Sequence, residues 1–341
     1  MKTSLLTLVL LIVAFLSVAQ QNEFAGKLMF YNVENLFDTE DDPQTADEEF
    51  TPSGARHWTN FKLSNKISKI AKVIIAVGKW SPPDIAGLCE IENRHVVGQL
   101  IAQPALKNLG YKIIHKESPD RRGIDVAIIY REGRIHPLKY ECLEVKDKGG
   151  GRVKTREILY FSYLFGQTDT FHLFINHWPS RYRGFLETID ARKNAALALK
   201  KKVGELFQYS GDTKIIIMGD FNDRPTDDSV SKVLGAKTVF QAIGGNKLYN
   251  LSSLWKGGQK GTHKFHSQWS AFDQVIVSGA LLNKTGRFYC NKEDAHIFNP
   301  AFLLEKDERY GGVKPNRTYT GFKYHGGFSD HLPVFLNIRE Q

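Results

Sequence analysis

Residues 215–223 read Ile215-Ile216-Ile217-Met218-Gly219-Asp220-Phe221-Asn222-Asp223. Four successive apolar residues read as a strand. Gly219 allows a tight turn, and Asp220 and Asn222 then place an acid and an amide where the strand ends. Side chains at such an end can leave a rigid element and enter a cleft. Similar short runs recur at Leu28–Val33, Ile85–Cys89, Val126–Tyr130, Leu159–Leu164, Phe171–Asn176, Gln274–Val277 and Val334–Ile338. Between them lie two helical patterns. Ile67, Ile70, Ile74 and Val77 share one face, and Ile189, Ala196, Leu199, Val203 and Leu206 repeat the spacing. Strands mixed with helices and short connections predict an α/β layered protein. With no repeat, Pro-rich linker or low-complexity tract, residues 26–339 read as one domain.

The chain has 341 residues, of which 42% are apolar, 12% aromatic and 24% charged. This is a globular composition, which excludes collagen-like, coiled-coil and disordered classes. A net charge of +9 favours anionic partners. Within it, Asp38, Glu40, Asp41, Asp42, Asp47, Glu48 and Glu49 form an acidic loop that lacks any base. The irregular stretches Asp38–Arg56 and Asn299–Gly327 are long enough to carry function. The start Met1-Lys2, the apolar run Leu5–Val18 and the small-residue exit at Ala19 read as a secretory signal peptide over residues 1–19. The expected location is therefore secreted or periplasmic, with no membrane span left after cleavage. The three cysteines, Cys89, Cys142 and Cys290, exclude a disulfide-dense scaffold. Cys89 is expected to be buried, and whether Cys142 pairs with Cys290 stays open.

Five further strand ends or turns carry polar groups: Asn32-Val33-Glu34-Asn35, Cys89-Glu90-Ile91-Glu92, Asn176-His177-Trp178-Pro179-Ser180-Arg181, Phe272-Asp273-Gln274 and Ser329-Asp330-His331. A carboxylate such as Glu90 after an apolar strand is costly to bury without a partner. Together these motifs supply carboxylates, amides and two histidines. Oxygen-rich donors suit Mg²⁺, Mn²⁺ or Ca²⁺, and neighbouring histidines suit proton transfer or phosphate contact.

In this order the motifs resemble the endonuclease/exonuclease/phosphatase family, with its DNase I-like fold. The resemblance runs from about Lys27 to Ile338 and implies a four-layer α/β/β/α sandwich with the site at the sheet edges. It implies that Glu90, beside Asn32 and Asp330, holds the metal. Asp220 and Asn222 resemble the pair that positions the attacking water and holds phosphate or a second metal. His331, oriented by Asp273, is the general base or phosphate-binding histidine, and His177 contacts phosphate or protonates the leaving oxygen. Asp125 is expected to orient a histidine beside the substrate. Arg181 and Arg183, close behind His177, can clamp a phosphate oxygen.

The run Asn176–Arg181 resembles exported bacterial members described as nucleases. The expected activity is thus metal-dependent hydrolysis of phosphodiester bonds, with nucleic acid as substrate. Inositol phosphatases carry Cys-Asp-Arg where this chain has Phe272-Asp273-Gln274, which disfavours that branch. Arg309, Tyr310, Lys314, Arg317, Tyr319, Phe322, Lys323 and Tyr324 interleave bases with aromatics, a pattern suited to binding phosphates and stacking bases. The acidic loop argues the other way, since it repels a polyanion. A phosphatase or sphingomyelinase-like action on a smaller phosphoester, and a non-catalytic binding module on the same fold, stay open. The intact set of acids and histidines favours an enzyme.

Overall fold

Side chains alternate across a strand, so each strand of a layered protein feeds two different cores. In the first strand, β1 (Gly26–Leu36), Met29, Tyr31 and Val33 enter one apolar cluster and Leu28 and Phe30 enter another. In β8 (Lys214–Asp220), Ile216 and Met218 share that second cluster, while Ile215 and Ile217 enter a third. Three cores mean four layers. The computed structural model, which describes residues 24–79, 81–182, 184–255, 261–284 and 286–341, has this α/β/β/α arrangement. Residues 1–19, read as a signal peptide, and Arg183 lie outside the described residues.

The strands that matter for the site are, besides β1 and β8, β2 (Ile85–Ile91), β3 (Tyr111–His115), β4 (Asp125–Arg131), β5 (Ile135–Leu143), β6 (Ile158–Phe165), β7 (Asp169–His177), β9 (Leu248–Asn250), β10 (His263–Phe265), β11 (Gln268–Ser270) and β12 (Asp273–Ser278). One sheet has seven strands, centred on β1 between β2 and the final strand Val334–Glu340, with β4 and β3 beyond β2. The other has the order β5-β6-β7-β8-β12-β9. Each sheet contains one parallel pair, β1 with β2 and β7 with β8, among antiparallel neighbours. Helices Asn60–Gly78 and Arg94–Ile101 cover the first sheet, and Phe185–Tyr209 covers the second. The first begins where the Thr59 side chain accepts from Lys62 N, the second where Asn93 accepts from Val96 N; both are N-caps.

All eight expected strands and both expected helices are present. Gly219 is not a turn residue, however. It lies within β8 opposite Asn176, where a Cβ would stand 2.3 Å from the Asn176 carbonyl oxygen, so glycine is needed for close strand approach. The acidic loop is pinned by Phe50, which stacks on Phe37 at 4.1 Å between ring centres. The stretch 299–327 folds into two small hairpins, Leu304–Lys306 with Val313–Pro315 and Tyr319–Thr320 with Lys323–Tyr324. Cys142 and Cys290 do not pair, and Cys89 is buried as expected. Among the described residues no helix is long and apolar enough to cross a membrane.

Candidate active site

Strand register sets the site. The parallel pairing of β7 with β8 places His177 opposite Asp220, and the antiparallel pairing of β8 with β12 places Asp273 opposite Asp220. Three functional groups therefore end neighbouring strands in one row. Facing them, β1 and β2 end with Asn32 opposite Cys89 and then shift register. At this shift Glu34, Asn35 and Glu90 adopt positive φ of 54°, 59° and 62°, and Asn222 follows β8 with 49°. Left-handed backbone at non-glycine residues is strained, and here it falls on the strand ends that carry polar groups.

Asp220 stands at the centre. Asn32 Nδ2 donates to its Oδ2 at 3.1 Å, linking the two sheets, and also to Glu90 Oε1 at 3.3 Å. His177 Nε2 lies 3.8 Å from the same Asp220 oxygen and 3.8 Å from Glu90 Oε1. His331 Nε2 also lies 3.8 Å from Asp220 Oδ2. The second Asp220 oxygen accepts from Asn222 N, and Asn222 Nδ2 donates to Trp178 O, which fixes the amide beside the cleft. Asn35 N donates to Glu90 Oε2.

His331 Nδ1 is 2.7 Å from Asp273 Oδ2, the orienting pair the resemblance implies. Ser329 holds this loop against β1, since its hydroxyl donates to Asn32 O and accepts from His331 N. Burial disfavours the imidazolium, but Asp273, Asp220 and Asp330 outweigh it and raise the His331 pKa well above its ordinary value. His177 is the reverse. Burial first, then Arg156 and Arg122, hold it well below the ordinary value, and no carboxylate orients its buried Nδ1. Burial pushes Asp220 up to about 7, with Asp273 and Glu90 adding and His331 opposing.

Asp330 donates nothing and accepts from Arg317 at 3.0 Å, and Arg317 also reaches Glu34 at 3.2 Å. Glu34 additionally accepts from Thr318 N. Burial and the Asp330 charge push Glu34 up to about 7 against Lys66 and Arg317. Glu90 and Asp220 meet at the Asn32 amide, which turns its nitrogen to both while its oxygen accepts from Glu34 N, so Asn32 fixes the carboxylates and does not offer them a ligand oxygen. Asp330 lies instead with His263 and His331, and Asp220 with Asp273 and His331, ligand atoms of each group falling within 4.8 Å; the carboxylates of this cluster are donors that fit a hard dication. Asp273 Oδ1 is buried with no hydrogen-bond partner, as expected of an atom suited to an ion or to substrate water.

Two expected residues are placed differently. Arg181 is already engaged: it donates to Asn222 O at 2.6 Å, Asp223 at 2.7 Å and Asp227 at 2.6 Å, and its guanidinium lies over Phe185 and Phe272. It braces the turn after β8 instead of presenting a free phosphate clamp. Asp125 lies beside a histidine, but this is His115, 3.3 Å away and not hydrogen-bonded to it, and neither His177 nor His331.

Three nearby groups escape sequence reasoning. Lys66 is buried, donates to Phe328 O at 2.6 Å and sits near Glu34. A lysine beside Ile67 and three residues after Leu63 interrupts an apolar stripe, and that interruption was the readable signal. Arg156, also buried, donates to Asp120 and to Trp178 O and lends its charge to His177. His263 lies with its ring centre 4.8 Å from that of His331. Neither carries a local pattern.

A family model described as endonuclease/exonuclease/phosphatase family matches residues 27–340. Among solved structures, humanized D. rerio TDP2 is similar with a TM-score of 0.56 at 14% identity, covering 92% of this chain and 98% of that one. The human Nocturnin catalytic domain with bound sulfate has a TM-score of 0.55 at 14% identity, covering 92% and 94%. A mannosyl-6-phosphatase of Bacteroides thetaiotaomicron VPI-5482 has 0.54 at 17%, covering 92% and 98%. At these identities the structures show a shared fold. No curated protein sequence matches this chain. With the family match spanning almost the whole described chain, and the ordered strand-end residues converging on Asp220, this protein belongs to the endonuclease/exonuclease/phosphatase family.

Proposed function

We propose that this protein is an exported, divalent-metal-dependent phosphodiesterase that hydrolyses nucleic acid. The observation that carries the reading is the convergence of Asn32, His177 and His331 on one oxygen of Asp220. A mere binder has no need of a buried carboxylate whose pKa is near 7 beside two histidines held in opposite states.

Glu90 and Asp330 would hold Mg²⁺ or Mn²⁺, which would neutralise phosphoryl charge and acidify water, with Asn32 fixing Glu90 through its amide nitrogen. The chain supplies the rest. Asp220, near neutrality and fixed by Asn32 and Asn222, takes the proton of the attacking water; a pKa near the working pH suits that role. His331, cationic and held by Asp273, binds a phosphoryl oxygen through Nε2 and stabilises the charge that grows there. His177, kept neutral, donates a hydrogen bond from Nε2 toward the phosphoryl or leaving oxygen. The electrostatics thus favour the phosphate-binding of the two roles that the resemblance implies for His331.

Support for nucleic acid comes from a group of rings on the hairpin that begins beside the catalytic cluster. His263 of β10 neighbours His331; farther along the same hairpin Phe265 stacks on His266 with centres 4.1 Å apart, and Tyr310, from the neighbouring hairpin Leu304–Pro315, meets His266 tilted at 4.7 Å with Arg309 lying 5.1 Å over it. Exposed Phe265 offers a face for a base. Much of the other basic and aromatic loop is committed: Tyr319 is buried and Arg317 is ion-paired. The single-strand DNA complex of D. rerio TDP2 shows a protein of this fold with such a ligand. A smaller phosphoester is the second reading, favoured by the acidic loop at the flank of Glu92. Export rests on the signal pattern of residues 1–19. A panel of single-stranded DNA, RNA, sphingomyelin, inositol phosphates, sugar phosphates and a generic phosphodiester, each with Mg²⁺ and then EDTA, tests the proposal. Turnover of DNA or RNA alone supports it, and turnover of a phosphomonoester alone overturns it.

A further inference from the structure

Beyond the catalytic cluster, the described residues hold one other group of metal-type side chains, at the connection of β3 to β4. His115 ends β3, Asp125 begins β4, and Glu117 lies between them in the connection. Ligand atoms of all three lie within 4.8 Å of one another. His115 Nδ1 is 3.7 Å from Glu117 Oε1, and His115 Nε2 is 3.3 Å from Asp125 Oδ2. Both the His115 and Asp125 side chains are only 2% exposed, yet Nε2 and Oδ2 have no hydrogen-bond partner, being out of line for one another. Asp125 Oδ1 accepts from Ser118 N, so the carboxylate is anchored by one oxygen and aims the other at the group. Buried polar atoms of this kind call for an explanation.

We infer that His115, Glu117 and Asp125 form a second cation site, distinct from the one at Glu90, for a transition-metal dication of the Mn²⁺ or Zn²⁺ type. One imidazole with two carboxylates is a donor set that these ions accept and that Mg²⁺ and Ca²⁺ favour less. Glu117 also lines a cavity of about 130 Å³ with Asp38, Glu40, Asp41, Asp42 and Glu92, so the site opens onto strongly negative surface. The acidic loop is already docked on the β3–β4 connection: Ala46 N donates to Arg121 O at 2.7 Å, and a Cβ at Gly123 would stand 2.9 Å from Thr45 Oγ1. An ion at this place ties the loop to the hairpin and lowers the repulsion that the acids exert on an anionic substrate in the adjacent cleft.

The test is calorimetric titration of the full chain with Zn²⁺ and, separately, Mn²⁺, comparing the parent with Glu117→Gln and His115→Asn. Glu117 is 66% exposed, so its variant keeps the fold even if the His115 variant does not. The expected result is loss of one bound ion per chain, or at least tenfold weaker binding at one site, in Glu117→Gln, with the binding lost in Glu90→Gln left intact. Unchanged stoichiometry and affinity in Glu117→Gln would overturn the inference and leave His115 and Asp125 as a structural pair.

Discussion

His331 and His177 each place Nε2 3.8 Å from one oxygen of Asp220, yet their surroundings drive them apart. His331 has three carboxylates about it and a 2.7 Å contact from Nδ1 to Asp273. His177 has two arginines in its neighbourhood and an Nδ1 without a partner. The same side chain at the same distance thus becomes a cation in one corner and a neutral donor in the other. Environment, not residue type, assigns the roles. The carboxylate between them, near pKa 7, belongs to both corners.

The comparison breaks most completely at the shared group. Asp220→Asn is expected to lower kcat by about 10⁴-fold, the upper end for loss of a general base. It should also remove the rise of kcat with pH up to about 7 that deprotonation of Asp220 gives. A pH–rate series on both proteins checks this, and a variant that retains the rise assigns the titration elsewhere. His331→Ala is expected to cost about 10³-fold in kcat, and His177→Ala about 10²-fold, with substrate Kd changed far less. The double variant should lose less than the product of the two, as groups acting in one transition state do. Asp273→Asn sharpens the contrast: it removes the largest influence raising His331, so the imidazole should titrate at lower pH by NMR while kcat falls by about 10–100-fold.

The two corners also oppose each other in stability. A histidine held neutral binds fewer protons folded than unfolded, so its presence costs stability as pH falls below about 6.5. His177 and His263, the latter pushed down to about 4, act in that direction. His331, with its raised pKa, contributes below about 6.5 and loses that contribution as pH rises through its folded value. His177→Gln should therefore reduce the fall in stability between pH 7 and 5 by about 1–2 kcal/mol, at roughly 1.4 kcal/mol per pH unit for one proton. Urea midpoints at the two pH values measure it. The smallest catalytic effect is expected at the brace: Arg181→Met should lower stability by roughly 1–3 kcal/mol, because Arg192 still pairs with Asp223, and should leave KM within a few-fold. A large rise in KM with unchanged stability would restore Arg181 as a phosphate clamp.

Much of this contrast lies beyond a linear reading. Asn32, Glu90, His177, Asp220, Asp273 and His331 were legible because each stands at an end of an apolar run, and strand ends converge when strands share a sheet. The layers were legible from period-two and helical spacing. The electrostatic difference between the histidines was not, because it depends on Arg156 and Asp273, brought near by pairing between distant strands. Arg181 looked free in sequence, since nothing local announces that Asp223 and Asp227 fold back onto it. His115 lies outside any motif and meets Asp125 only through the β3–β4 register, with His115 beside Ala127.

The most direct test of the whole account is hydrolysis of a generic phosphodiester by the parent and by Glu90→Gln across a Mg²⁺ and Mn²⁺ series, with EDTA as the zero. The account predicts saturable, EDTA-sensitive turnover in the parent and a loss of about 10³-fold or more in Glu90→Gln at every metal concentration. Turnover that survives EDTA, or a Glu90→Gln enzyme with the parent's rate and metal midpoint, would contradict it.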